Sequence, residues 1–226
     1  MHYQWDFSVI GDNAGLLLWG LGNTLLLTLI AILIGTPLGL AVAWMRLSSR
    51  RWLVWPATVY VEVFRAAPAL VQLYWLYSAL PRLTGLRLGG FEAAAIALSI
   101  LSSAFLSEVF RGGIASIGKG QWDAARGIGL SYPGMLRTII LPQAIRRMLP
   151  VFLERYIELL KTSTIAATVS FGDLLFVAQD ISYRTYRTLE IFSAIAVMFF
   201  LVILLCSQLT RLVEHRLARS GEFTAR

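Results

Sequence analysis

One cysteine and two histidines occur among the 226 residues. Cys206 alone excludes an intramolecular disulfide and a cysteine metal cluster, and His2 and His215, at opposite ends of the chain, argue against a shared histidine site. No metal-ligand spacing, catalytic triad or pair of catalytic carboxylates is visible, so neither a metal site nor a catalytic residue is expected. Charge is scarce as well: Asp, Glu, Lys and Arg make up 15% of the residues, against about a quarter in soluble domains. The sequence also lacks GxxxxGK[ST], so there is no Walker A loop to cradle ATP phosphates. Energy for any work the chain does has to come from another chain or from an ion gradient.

What is abundant is apolar surface, with 57% hydrophobic residues. Residues 14–45 and 191–210 carry no Asp, Glu, Lys or Arg, and each reaches the length of about 20 apolar residues that a spanning helix needs. The N-terminus carries Asp6 and Asp12 but no Lys or Arg, unlike the basic start of a cleaved signal peptide, so residues 14–45 read as a retained span. Five hydrophobic segments follow from the pattern, at about 14–45, 52–80, 91–111, 145–171 and 189–212, with one sizeable internal loop at about 112–144. Pro68, within Arg65-Ala-Ala-Pro68, interrupts the second segment, because proline removes a backbone donor and kinks or breaks a helix. Such a break is tolerated in lipid only against protein or a water-filled cavity. The predicted fold class is an all-α integral membrane protein of about five spans.

The net charge of +7 comes from dispersed basic residues, with no segment dense enough for a nucleic-acid arm, so no nucleic-acid partner is expected. Their distribution sets orientation. With the N-terminus outside, thirteen Lys and Arg fall on the cytoplasmic side: Arg46, Arg50, Arg51, Arg111, Lys119, Arg126, Arg137, Arg146, Arg147, Arg211, Arg216, Arg219 and Arg226. Four, Arg82, Arg87, Arg184 and Arg187, fall outside, while Arg65, Arg155 and Lys161 lie within spans. The C-terminus and the 112–144 loop are therefore predicted to be cytoplasmic.

In that loop, Asp123 is expected to open a short helix, where a carboxylate suits the positive end of the dipole. Gly127 and Gly129 weaken a helix by roughly 1 kcal/mol each relative to alanine, which makes sense where another protein's backbone approaches closely. Tyr132-Pro133-Gly134 reads as a turn. The plain alternative is a solvated connector.

The spacing Asp123-Ala124-Ala125, three residues, Gly129, nine residues, Ile139, one residue, Leu141-Pro142 resembles the EAA loop of bacterial ABC importer permeases, with Asp in place of the usual Glu at 123. GNTLLLT at 22–28, EVFRAAPALVQL at 62–73, SEVFRGGIASIGKGQWDAARGIG at 107–129, ILPQAIRRMLP at 140–150 and LLKTSTIA at 159–166 resemble the polar amino-acid uptake branch of that family. The resemblance covers about 16–215. It implies the type I importer permease fold in a bacterial inner membrane, with 1–15 extracytoplasmic, 16–215 the transmembrane domain and 216–226 a cytoplasmic tail. It implies as partners a second permease copy or paralogue, two cytoplasmic ATPase subunits, an extracytoplasmic solute-binding protein, an amino-acid substrate and the lipid membrane. No cofactor is expected on this chain, ATP and Mg being held by the ATPase. The resemblance assigns coupling to the ATPase to Asp123, Ala124, Ala125, Arg126, Gly127, Gly129, Leu130 and Ser131.

The charges within spans have two readings. EVFR occurs twice, at 62–65 and 108–111, and Glu and Arg three apart share a helix face and can pair. Glu62 with Arg65 and Glu108 with Arg111 are thus either ion pairs fixing helix ends or part of a substrate route. The same holds for Glu158 and Lys161, followed by Thr162, Ser163 and Thr164, and for Gln72, whose amide offers both a donor and an acceptor. The EVFR doublet also keeps open a different class of function, an autonomous secondary transporter or channel with intramembrane carboxylates as an ion relay.

Overall fold

The computed structural model describes residues 3–217, with side chains to 212, and no strand occurs among them. The helices are α1 (Ser8–Asp12), α2 (Ala14–Arg46), α3 (Arg51–Ala66), α4 (Ala69–Tyr74), α5 (Leu80–Thr84), α6 (Gly90–Ala115), α7 (Lys119–Gly127), α8 (Tyr132–Met135), α9 (Leu141–Thr162), α10 (Leu174–Thr185) and α11 (Thr188–Leu217). A π turn at Trp75–Ala79 joins α4 to α5, another at Leu136–Ile140 joins α8 to α9, and a 3-10 stretch at Ser163–Val169 prolongs α9. The predicted tail residues Arg219 and Arg226 lie outside the described residues, as does most of 216–226.

At 33 residues, α2 is about 50 Å long, more than the roughly 30 Å hydrocarbon core. It, α6 and Thr188–Leu212 of α11 are each long and apolar enough to cross a membrane. The helical run Tyr132–Val169 makes a fourth candidate when taken with α10, to which it is bent by 49°. The segment expected at 52–80 is instead divided into α3, α4 and a π turn, with α5 following from Leu80. Pro68 leaves the helix (φ −58, ψ 134) and caps α4, so the predicted break is present. α10 was not apparent in the sequence, because its polar residues (Gln179, Asp180, Ser182, Arg184) mask the apolar face of Leu174, Val177, Ala178 and Ile181.

Two details of the loop differ from expectation. The short helix opens at Lys119 rather than Asp123, after the extended Gly118. Tyr132-Pro133-Gly134 is the first turn of α8, not an isolated turn; proline is accepted there because a first-turn N–H has no helical partner anyway.

The helices form two compact units. The first takes the described part of Met1–Leu33 with Ala67–Ser99 and Ile157–Ser207. Its larger core packs Leu27, Ala31, Leu73, Leu98, Leu159 and Ala166 around the Ala93-Ala94-Ala95 run of α6. A second core joins Val9 of α1 and Leu17 of α2 to Leu174, Val177 and Ile181 of α10 and Ile191 and Ile195 of α11. The other unit takes Ile34–Ala66, Ile100–Tyr156 and the described part of Gln208–Arg226, with a core of Ile117, Ile140, Ala144 and Met148.

Small residues set the helix spacing, as in membrane proteins generally. In the second unit a Cβ on Gly39 would sit 2.9 Å from the Ser103 carbonyl oxygen, so α2 and α6 meet backbone to backbone. In the first unit a Cβ on Gly90, the first residue of α6, would come within 2.4 Å of the Val169 carbonyl oxygen. Gly90→Ala should therefore lower stability by about 1–3 kcal/mol, whereas Gly22→Ala, with nothing within 4 Å of its Cβ, should be neutral or slightly stabilising. Thermal unfolding of the two variants in the same detergent checks the contrast.

Candidate functional site

The α7 knob is held from within. Trp122 stacks on Tyr132 (6.1 Å between centroids, 22° between planes), and Gln143 Nε2 donates to Gln121 Oε1 at 3.2 Å. Ala125 is fully buried, which explains its small side chain. The helix ends in a Schellman cap: Gly129, at φ +78, donates its N–H to the Arg126 carbonyl (2.9 Å), and Leu130 donates to that of Ala125 (3.2 Å). The left-handed conformation is thus a local reason for Gly129, beyond the expected need for close approach by a partner. Gly127 has no such constraint, and its Cβ position is open. Asp123 pairs with Arg126 at 3.2 Å. Asp123, Ala124, Arg126, Gly127, Ile128, Gly129 and Ser131 are exposed, Leu130 half-buried. The knob thus presents a small, partly apolar face, with Ile128 at 73% exposure.

The second cluster centres on Glu108 of α6. Arg46, the last residue of α2, donates from Nη1 to Glu108 Oε1. Arg111 donates from Nε (3.0 Å) and Nη2 (2.7 Å) to Oε2, and Arg65 Nη1 lies 3.6 Å from Oε1. The guanidiniums of Arg65 and Arg155 also lie 5.4 and 5.0 Å from the centroid of the Phe105 ring. Of the two expected EVFR pairs, the second forms as a local pair. The first does not: Arg65 reaches across to Glu108, and Glu62 is exposed with no ion pair among the described residues. One carboxylate therefore ties together α2, α3 and α6.

Gln72 is buried and its Nε2 donates to the Ala67 carbonyl at 2.9 Å, closing the backbone at the Pro68 break. Glu158 and Lys161 are exposed, and among the described residues no ion pair joins them, contrary to the expected i, i+3 pairing. Thr162 Oγ1 donates to the Glu158 carbonyl (2.9 Å) and Thr164 Oγ1 to that of Lys161 (2.8 Å). Ser163 is fully buried, donating to the Leu160 carbonyl and accepting from Thr28 Oγ1, so it cements two helices.

Sequence reasoning missed the polar residues that close the 170–173 break. Asn23 Nδ2 donates to the Gly172 carbonyl (2.7 Å), Thr24 Oγ1 accepts from Leu174 N (3.0 Å), and buried Asp173 caps α10 by accepting from Phe176 N (2.8 Å). The available signal was the GNTLLLT motif, whose Asn and Thr stand out in an apolar helix, and the Gly172-Asp173 step before Leu174.

Removing the central carboxylate should separate the structural charges from the dispensable ones. Glu108→Gln leaves three guanidiniums without their counter-ion and should cost about 3 kcal/mol, while Glu62→Gln should stay within about 0.5 kcal/mol of wild type. Chemical unfolding in detergent micelles measures both.

The model of the binding-protein-dependent transport system inner membrane component family matches residues 35–219. The arginine transport system permease protein ArtQ of Bacillus subtilis is 34% identical over 94% of this chain and 97% of its own length. The probable glutamine ABC transporter permease protein GlnM of Bacillus subtilis is 37% identical over 95% of this chain and 99% of its own. The glutamine transport system permease protein GlnP of Escherichia coli is 34% identical over 95% and 98%. Among solved structures, a crystal structure of an amino acid ABC transporter with histidines superposes with a TM-score of 0.91 at 37% identity, over 95% of this chain and all of that one (100%). The inward-facing MetNI methionine ABC transporter shares the fold, with a TM-score of 0.69 at 21% identity over 89% of this chain and 98% of that one. With a family match over most of its length and relatives alike from end to end, the chain belongs to the family of binding-protein-dependent transport system inner membrane components.

Proposed function

We propose that the chain is one of two permease subunits of an ATP-driven importer that moves a polar amino acid, or a close analogue, delivered by a solute-binding protein. The relatives named for arginine and glutamine transport support the substrate class. The second permease subunit is a copy or a paralogue, and two ATPase subunits hold the ATP and Mg on the cytoplasmic side of a bacterial inner membrane. The distribution of basic residues supports an outside N-terminus, with 1–15 extracytoplasmic, 16–215 the multi-pass transmembrane domain and 216–226 a cytoplasmic tail.

The observation that carries the reading is the α7 knob: a nine-residue helix, internally stacked and capped, that presents small residues and an uncovered Ile128. A motor in another chain moves a membrane protein only through a part stiff enough to transmit displacement. Asp123 to Ser131, Gly129 included, serve as that part, with Ala125 inside it and Ala124, Gly127 and Ile128 on the docking face.

For the route, Glu158 and Lys161 lie three residues apart on one exposed face of the helix, and Thr168 is exposed in the 3-10 stretch that follows. Exposed charge within a membrane-spanning run is tolerated against water or another subunit, and a carboxylate and an ammonium group on one face suit a zwitterion. Thr162 and Thr164 flank this face. The ion-relay reading is weaker, since Glu108 is committed to three arginines.

Gly127→Leu is the cleanest test of coupling, because its side chain enters open space within the chain. It should fold and insert normally yet weaken ATPase binding roughly 5- to 150-fold, an overpacking cost of about 1–3 kcal/mol. Gly129→Ala, by contrast, should loosen α7 itself, by about 1 kcal/mol, through its positive φ. Co-purification and stimulated ATP hydrolysis measure the outcome; wild-type binding by Gly127→Leu would make the loop a solvated connector. For the route, Lys161→Met should lower uptake without loss of assembly or basal ATP hydrolysis, checked by transport and ATPase assays on the same preparation.

A further inference from the structure

The N-terminal segment is the least expected ordered part of the chain. Residues 3–6 belong to no helix, yet they are pinned at several points to Arg187 and to Glu190 in the first turn of α11. The Tyr3 hydroxyl donates to Glu190 Oε2, and Asp6 N donates to Glu190 Oε1 at 3.0 Å. Arg187 Nη1 donates to the Gln4 carbonyl at 2.8 Å and its Nη2 lies 3.9 Å from Asp6 Oδ2. Glu190 is fully buried, so this strap is part of the fold. The hydrogen bond to Glu190 pushes the Tyr3 phenol above its ordinary range, and the Ser8 hydroxyl and N–H hold the Asp6 carboxyl below its own.

While the polar groups face inward, the aromatic rings do not. Tyr3, Trp5 and Phe7 are 47%, 56% and 56% exposed. They form a continuous stack, with Tyr3 edge-on to Trp5 at 5.4 Å and Trp5 parallel to Phe7 at 5.5 Å. Three adjacent aromatic rings held outward by a buried anchor are costly in water. Their surroundings identify what covers them. Through Val9 the segment packs into the same core as the first turns of α2 and α11, and these helices turn Leu16, Leu18, Trp19 and Leu189 outward, as spans facing lipid do.

We propose that Tyr3, Trp5 and Phe7 form a lipid-interface anchor, seated among the headgroups and first acyl carbons of the leaflet on the N-terminal side. Tyrosine and tryptophan favour this zone because each joins an apolar ring to a polar group. The Glu190–Arg187 clasp fixes the depth of the rings relative to α11. The bilayer thereby sets the position of one end of the transmembrane domain.

The test uses the full chain with Cys206→Ser, reconstituted in phosphatidylethanolamine–phosphatidylglycerol nanodiscs, with a nitroxide on Trp5→Cys and, separately, on Ser49→Cys in the exposed α2–α3 loop. Collisions with oxygen and with a water-soluble nickel chelate report depth. At position 5 the nickel collision rate should fall several-fold below that at position 49, and the oxygen rate should rise. Adding Tyr3→Phe to the labelled chain, which removes one clasp, should broaden the depth distribution without altering the label at 49. Nickel access at position 5 equal to that at 49 would overturn the proposal. So would access that is high until a solute-binding protein is added, since the rings would then be a protein-docking surface.

Discussion

The hydrocarbon core of a membrane offers no water to an unpaired backbone group, and each such group costs several kcal/mol. A departure from regular helix inside the membrane is therefore a place where protein must supply the missing partners. At the Pro68 break the buried Gln72 amide takes the Ala67 carbonyl. At the 170–173 break Asn23, Thr24 and Asp173 do the same work for Gly172, Leu174 and Phe176. Both breaks lie within one compact unit, around a core whose Ala93-Ala94-Ala95 run lets helices approach.

Charge obeys the same constraint. Glu108 collects Arg46, Arg111 and Arg65 rather than leaving each to find its own partner, and Phe105 shares its ring between Arg65 and Arg155. Such a network holds α2, α3 and α6 together by directional contacts that apolar packing in lipid does not provide. Glu158 and Lys161 of α9 are exposed, and the proposed transport route runs past them rather than through the arginine cluster.

How much of this was legible in the sequence depended on the range of the interaction. The long apolar helices α2, α6 and α11 announced themselves by length and hydrophobicity, α2 and most of α11 also by the absence of charge, and Pro68 announced the break, because these are properties of contiguous residues. The Glu108–Arg111 pair followed from helical spacing. The partner of Arg65 did not, because it lies 43 positions away and spacing rules see only the nearer Glu62. The roles of Ser163 and Thr24 were hidden for the same reason: a hydroxyl in a helix reads alike whether it lines a path or cements a neighbour. Gly129 was singled out for the right position, but its positive φ is a property of the cap and not of composition.

The proposed function rests on division of labour: a membrane chain with no nucleotide loop of its own, a stiff α7 knob, and a motor elsewhere. Uptake into proteoliposomes tests that division directly. The chain, its partner permease, the ATPase and the binding protein are reconstituted together, with ATP on the ATPase side, and uptake of a panel of amino acids is followed with and without a protonophore. The account predicts uptake that requires ATP and the ATPase and is indifferent to the protonophore. Uptake by the permease chains alone, independent of ATP and abolished by the protonophore, would contradict it.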